Sequence, residues 1–119
     1  VPFKMILKEL MDTVPGATGA ILADWEGEAV EQCCCYDVYE LKVIGAHKGI
    51  LLNMMKEMHQ KLAVGDIRHT VISTAAQHFL VGPIGPDYLL VMTLARGAVV
   101  GLAVRRFESA LERMYKEIY

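Results

Sequence analysis

Four histidines and three consecutive cysteines are the side chains of this chain best suited to holding a metal or moving a proton. The histidines are His47, His59, His69 and His78. No H-x-x-x-H pair exists among them, and no carboxylate completes a metal-binding pattern. On a helix, His47 and His59 would stand more than about three turns apart. Structural or interfacial roles are therefore expected. His69 and His78 could face one another across a hairpin, which would make a pH-sensitive spot at most. On a strand, Cys33 and Cys35 share one face and Cys34 takes the other, so three thiolates cannot converge on one ion. The expected state is small, buried, reduced thiols, without zinc.

Other chemistries find as little support. Ser73 and Ser109 lack a nearby His and Asp set that would make either a nucleophile. Gly16 with Gly19, and Gly97 with Gly101, lack both the lysine and hydroxyl of a phosphate-binding Walker loop and the dinucleotide spacing; turn and close-packing roles suffice. No catalytic residue, metal or cofactor is expected. Arg96, just before the last helix, is the one group with the makings of an electrostatic finger toward a nucleotide.

Elements that would position these groups follow from periodicity. Phe3, Ile6, Leu7, Leu10, Met11 and Val14 recur at helical spacing, and Pro15-Gly16 stops that helix. Ala17 to Asp24 and Ala29 to Tyr36 read as strands joined through Asp24-Trp25-Glu26-Gly27, where Gly27 supplies a positive φ. The small residues Ala17, Gly19, Ala20 and Ala23 predict a helix packed close over the first strand. Asp37 with Glu40 forms a capping-box pattern for a long helix from Val38 to Val64, ended by Gly65-Asp66. Ile67 to Thr74, Gln77 to Gly82 and Tyr88 to Ala95 read as three more strands, with Pro83 to Asp87 as a turn. The final helix is expected from Ala98 to Ile118, with Val100, Val104, Phe107, Leu111, Met114 and Ile118 as its seam. Its outer face would pair Glu112 with Lys116 and Arg113 with Glu117. Helix, two strands, long helix, three strands, helix is an α+β order, one antiparallel sheet flanked by helices.

With 119 residues the chain is expected to form one domain, residues 1–119. Twelve basic and fourteen acidic residues, net −2, give no field favouring nucleic acid or an anionic membrane. The longest apolar run, Tyr88 to Val104, is broken by Arg96 and Gly97 and is too short to span a bilayer. No secretory leader pattern is present, so a cytoplasmic location is expected.

The long helix carries more apolar surface than its own sheet can cover. At about 100° per residue, Leu41, Ile44, Ile50, Leu51, Leu52, Met54, Met55, Met58 and Leu62 sweep roughly 200°, about twice what a one-sided helix needs. Leaving four such side chains wet forgoes roughly 1.5 to 3 kcal/mol each, comparable to the stability of a small domain. A dimer is predicted. Met54, Met55 and Met58 suit either its seam or a partner groove.

The element order, with Val14-Pro15-Gly16-Ala17-Thr18-Gly19-Ala20-Ile21-Leu22-Ala23-Asp24 leading into Gly27, resembles the roadblock family of dynein light chains and regulators of Ras-like GTPases. Tyr88-Leu89-Leu90-Val91-Met92 resembles that family's last strand, and Gly101-Leu102-Ala103-Val104-Arg105 its closing helix. The resemblance implies a profilin-like, five-stranded antiparallel sheet whose third strand, here Ile67 to Thr74, lies at an edge. It also implies a homodimer that joins those edges and packs the long helices together, covering an edge with few guarding charges beyond Arg68. The expected interface comprises Leu41, Ile44, Lys48, Leu52, Met55, His59, Leu62, His69, Val71 and Ser73.

Family members bind other proteins and have no catalytic centre of their own. The bacterial ones partner a small gliding-motility GTPase. The function so implied is a non-catalytic adaptor or regulator of a Ras-like small GTPase, with Trp25, Met54, Met58 and Arg96 as partner contacts. The alternatives are a small-molecule sensor, for which His69, His78 and Thr93 would have to converge on a pocket, and a structural subunit of a larger complex.

Overall fold

A computed structural model describes residues 3–24, 26, 28–34, 44, 57 and 68–119. The predicted long helix lies outside the described residues except at Ile44 and Glu57, both of which are helical. Helix α1 (Phe3–Thr13) buries Ile6, Leu7 and Leu10, the stripe expected from its spacing. It ends one residue earlier than its pattern because the Val14 carbonyl accepts from the Ala17 amide at 3.1 Å. Gly16 completes that turn at φ +89°, and a Cβ there would meet Ala98 Cβ at 2.7 Å. Conformation and space both demand glycine.

Strands β1 (Ala17–Asp24), β2 (Ala29–Cys34), β3 (Thr70–Ser73), β4 (Gln77–Ile84) and β5 (Tyr88–Ala95) form one sheet in the order β2-β1-β5-β4-β3. All four pairings are antiparallel. β1 and β5 run as predicted. The last residues predicted for β2, Cys35 and Tyr36, lie outside the described residues, as does the first predicted for β3, Ile67. β3 is shorter than predicted at both ends, since Arg68 and His69 precede the strand rather than belonging to it. Thr74 leaves it to close the β3–β4 turn, its amide donating to the Gln77 carbonyl at 2.9 Å and its hydroxyl accepting from the Ala76 and Gln77 amides.

Pro83 and Ile84, expected in a turn, extend β4 instead, pairing with Leu89 and Tyr88. Proline usually ends a strand because it cannot donate to a ladder. Here the last β3–β4 pair is Thr70 with Val81, so at Pro83 no β3 residue is opposite to receive a bond. The turn itself is Gly85 to Asp87, with Gly85 at φ +60°.

Helix α2 (Val100–Ile118) begins two residues later than predicted, since the Ala98 amide donates to the Ala95 carbonyl in a tight turn and Val99 is extended. Beyond the predicted seam, Ala103 and Ala110 are buried, and their small size brings α2 close to the sheet. The expected outer-face pair of Arg113 with Glu117 is replaced by an ion pair of Arg113 with Glu9 on α1. No Glu112–Lys116 pair forms among the described residues, so α1 rather than the next turn of α2 sets the partner.

The alternation of β1, β4 and β5 divides the core between the two faces of the sheet. Ala20, Leu22, Leu80, Leu90, Met92 and Leu94 face α1 and α2, where they meet Ile6, Leu7, Leu10, Phe107 and Met114. Half-buried Cys33 joins this side as a free thiol. Ile21, Ala23, Val81, Leu89 and Val91 form the opposite core, against which Ala29 and Ile44 pack. Both faces of the sheet are apolar, as a sheet covered on two sides requires.

Candidate functional site

The part of the fold with most unspent capacity is the edge at β3. Among the described residues its only neighbour is β4, so one side of its backbone is open. Val71 is 38% exposed on this edge, and Val30 is 46% exposed on the other edge strand, β2.

Two side-chain nodes hold this edge to the body. In the first, His78 is buried beside Ser73, its cross-strand partner. Its Nδ1 lies 2.7 Å from Ser73 Oγ, and its Nε2 lies 2.9 Å from the Arg96 carbonyl. A carbonyl can only accept, so Nε2 carries the proton and Nδ1 accepts from the serine hydroxyl. His78 thereby ties β3 to the turn between β5 and α2. In the second, Glu108 of α2 reaches Arg68 at 3.7 Å and His69 Nδ1 at 2.7 Å. The His69 contact is at ion-pair distance without hydrogen-bond alignment, and it becomes an ion pair when the ring is protonated.

His69 and His78 therefore do not face one another. The short β3–β4 turn sets Ser73 opposite His78 and Thr70 opposite Val81, which carries His69 past the end of the ladder toward α2. Nor do these histidines converge with Thr93. Phe79, not His78, pairs with Thr93, so Thr93 and His78 point to opposite faces. Thr93 Oγ1 instead lies 2.8 Å from Thr18 Oγ1. The three groups on which a sensor pocket would depend are spread over three places.

Arg96 is exposed in the β5–α2 turn, its guanidinium 3.5 Å from His78 Nε2. Ile44 is half-buried on the second core and so has an intramolecular partner. Of the other expected interface and partner residues, Leu41, Lys48, Leu52, Met54, Met55, Met58, His59, Leu62 and Trp25 lie outside the described residues. So does His47.

Sequence reasoning missed Glu108 and Glu9, and it placed Asp24 in the β1–β2 loop without its role there. Asp24 Oδ1 accepts from the Glu26 and Glu28 amides at 2.9 and 3.0 Å and so shapes the β1–β2 loop. An Asp at a strand end ahead of a glycine signals such a turn. Glu108 and Glu9 carry no local signal, since their partners lie on other elements. The close-packing role expected of Gly97 and Gly101 is not found either, for a Cβ at either position would meet nothing within 4 Å. Among the described residues, no three His, Cys, Asp or Glu side chains are grouped to hold a metal, and no helix is long and apolar enough to cross a membrane.

A five-stranded antiparallel sheet of this order, with α1 and α2 on one face and a short strand at its edge, defines the profilin-like α+β class. Within that class the chain belongs to the Roadblock/LC7 domain family, whose pattern matches residues 3–94. The fold is similar to that of a Roadblock/LC7 domain from Streptomyces avermitilis, at TM-score 0.87 and 16% identity, over 97% of this chain and 96% of that one. It is similar to Myxococcus xanthus MglB at TM-score 0.88 and 13% identity, over 99% and 95%. It is similar, too, to the gliding protein MglB of Thermus thermophilus at TM-score 0.85 and 17% identity, over 96% and 86%. No curated protein matches the chain in sequence.

Proposed function

We propose that the chain is a homodimeric adaptor, resident in the cytoplasm, that binds a Ras-like small GTPase and biases its nucleotide state. Contacts rather than covalent chemistry carry the function, and no cofactor or metal is needed. The observation that supports this most is the β3 edge of a roadblock-family fold, which has β4 as its only neighbour among the described residues and an exposed Val71. Two copies joined there continue one sheet across both protomers. His69, Val71 and Ser73 then lie at the junction, with Leu41, Ile44, Lys48, Leu52, Met55, His59 and Leu62 as the helical part of the seam. Trp25, Met54, Met58 and Arg96 supply the partner contacts. His78 holds the turn that bears Arg96 through that residue's carbonyl.

The resemblance to bacterial family members that partner a small gliding-motility GTPase favours this reading over a purely structural subunit. Rates of GTP hydrolysis and of nucleotide release by the partner GTPase, measured with and without the purified chain, test it. A change in either rate is expected, and its loss on replacing Arg96 with Ala would assign that contact. Identical rates at saturating chain would leave an adaptor without a regulatory role.

A further inference from the structure

The α1–α2 face, on the opposite side of the sheet from Ile44, carries a charge pattern that the adaptor reading does not use. At about 100° per residue, Arg105, Arg106, Arg113 and Lys116 fall on one arc of α2 roughly 100° wide, with Ser109 near its middle. All five are exposed. Glu108 and Glu112 turn instead to the flank beside Arg68.

Two clefts meet on this arc. One, of about 200 Å³, is lined by Leu102, Arg105, Arg106 and Ser109. The other, of about 90 Å³ between the two helices, shares Arg106 and Ser109 and adds Thr13, Glu9 and Arg113. Of the carboxylates around it, Glu9 is paired with Arg113 and Glu108 with Arg68 and His69, while Glu112 and Glu117 border the arc. Among the described residues, no carboxylate is within ion-pair distance of Arg105 or Arg106. Two planar guanidinium forks with a hydroxyl beside them form the donor set that a tetrahedral oxyanion accepts from best.

We propose that this face binds a phosphate monoester group, its oxygens held by Arg105 and Arg106 with Ser109 donating its hydroxyl. The group belongs either to a soluble phosphorylated small molecule or to a lipid headgroup, since both present the same oxygens. Arg113, paired with Glu9, borders the site and limits it to the first half of α2.

Amide spectra of the ¹⁵N-labelled chain, titrated with inorganic phosphate against chloride at matched ionic strength, test the site. Co-sedimentation with phosphatidylcholine vesicles, with and without phosphatidylinositol phosphate, separates the two sources. Saturable shifts centred on residues 105–109 are expected with phosphate and not with chloride. Capture by the phosphorylated vesicles alone would identify the lipid source, and saturation without vesicle capture the soluble one. The double variant Arg105→Glu/Arg106→Glu should keep the fold and weaken either response by at least about tenfold, the loss of one charge-assisted bond or more. Ser109→Ala should weaken it less. A response equal in chloride, one that survives the double variant, or none with either probe would overturn the site.

Discussion

At the scale of single residues, the groups that matter join elements rather than perform chemistry. His78 spends both ring nitrogens inside the fold, on Ser73 and on the Arg96 carbonyl. Replacing it with Phe removes the bonds to the Ser73 hydroxyl and the Arg96 carbonyl and should cost about 1–3 kcal/mol of unfolding free energy, two ordinary hydrogen bonds at about 0.5–1.5 kcal/mol each. Urea unfolding with an unchanged m-value reads this directly, and a loss below about 0.5 kcal/mol would mean that the node is not structural. Two glycines carry opposite expectations. A Cβ at Gly82 would meet Leu111 at 2.8 Å, Phe107 at 3.0 Å and the Arg68 carbonyl at 3.2 Å, so Gly82→Ala should destabilise by about 1–3 kcal/mol. Gly101 lies in the first turn of α2 with open space around it, and Gly101→Ala should stabilise by about 0.5–1 kcal/mol. Thermal melts of the two variants should shift in opposite directions.

Tyr119 adds a pH dependence. Desolvation first, then the hydrogen bond its hydroxyl donates to Asp87, raises its pKa above the ordinary 10.0. Folding therefore favours the protonated phenol. The contribution is full below pH 10 and fades as pH rises through the raised value. Absorbance titration of phenolate should show one tyrosine ionising late, and Asp87→Asn should bring it back toward 10. Unchanged titration in that variant would remove Asp87 as a cause.

At the scale of elements, the decisive feature is a four-residue strand, Thr70–Ser73, left at the edge of a sheet whose other members are longer. Val71→Lys places a charge where a second sheet would continue, a device natural edges use to stay unpaired. The variant is expected to remain folded by circular dichroism while light scattering shows monomers in place of dimers. A dimer that survives the substitution would move the seam away from β3.

The elements differ in how far the sequence disclosed them, and the reasons are physical. β1 and β5 were legible to the residue because largely apolar runs are closed by turn residues at both ends. Pro83 misled because its effect depends on whether a neighbour strand lies opposite, which is a property of the sheet and not of β4. The start of α2 was misplaced because the Ala95–Ala98 hydrogen bond mimics a first helical turn in composition. Histidine placement failed for a similar reason. A pairing of His69 with His78 needs the turn centred between Ser73 and Thr74, whereas the hydroxyl of Thr74 fixes a turn further along, which sets Ser73 opposite His78. Contacts such as Glu108 with His69, or Glu9 with Arg113, link residues far apart in sequence and left no local trace.

At the scale of the whole molecule, one sheet face is covered by α1 and α2, the other receives Ile44, and β3 ends the sheet among the described residues. A protein so built offers surfaces, and its membership of the Roadblock/LC7 domain family makes a GTPase the partner to seek. The most direct test is affinity capture on the immobilised chain from its native lysate, run in parallel with GDP and with a non-hydrolysable GTP analogue, and read by mass spectrometry. The account predicts retention of a Ras-like small GTPase in one nucleotide state and much less in the other. Recovery of no GTPase in either state would contradict it.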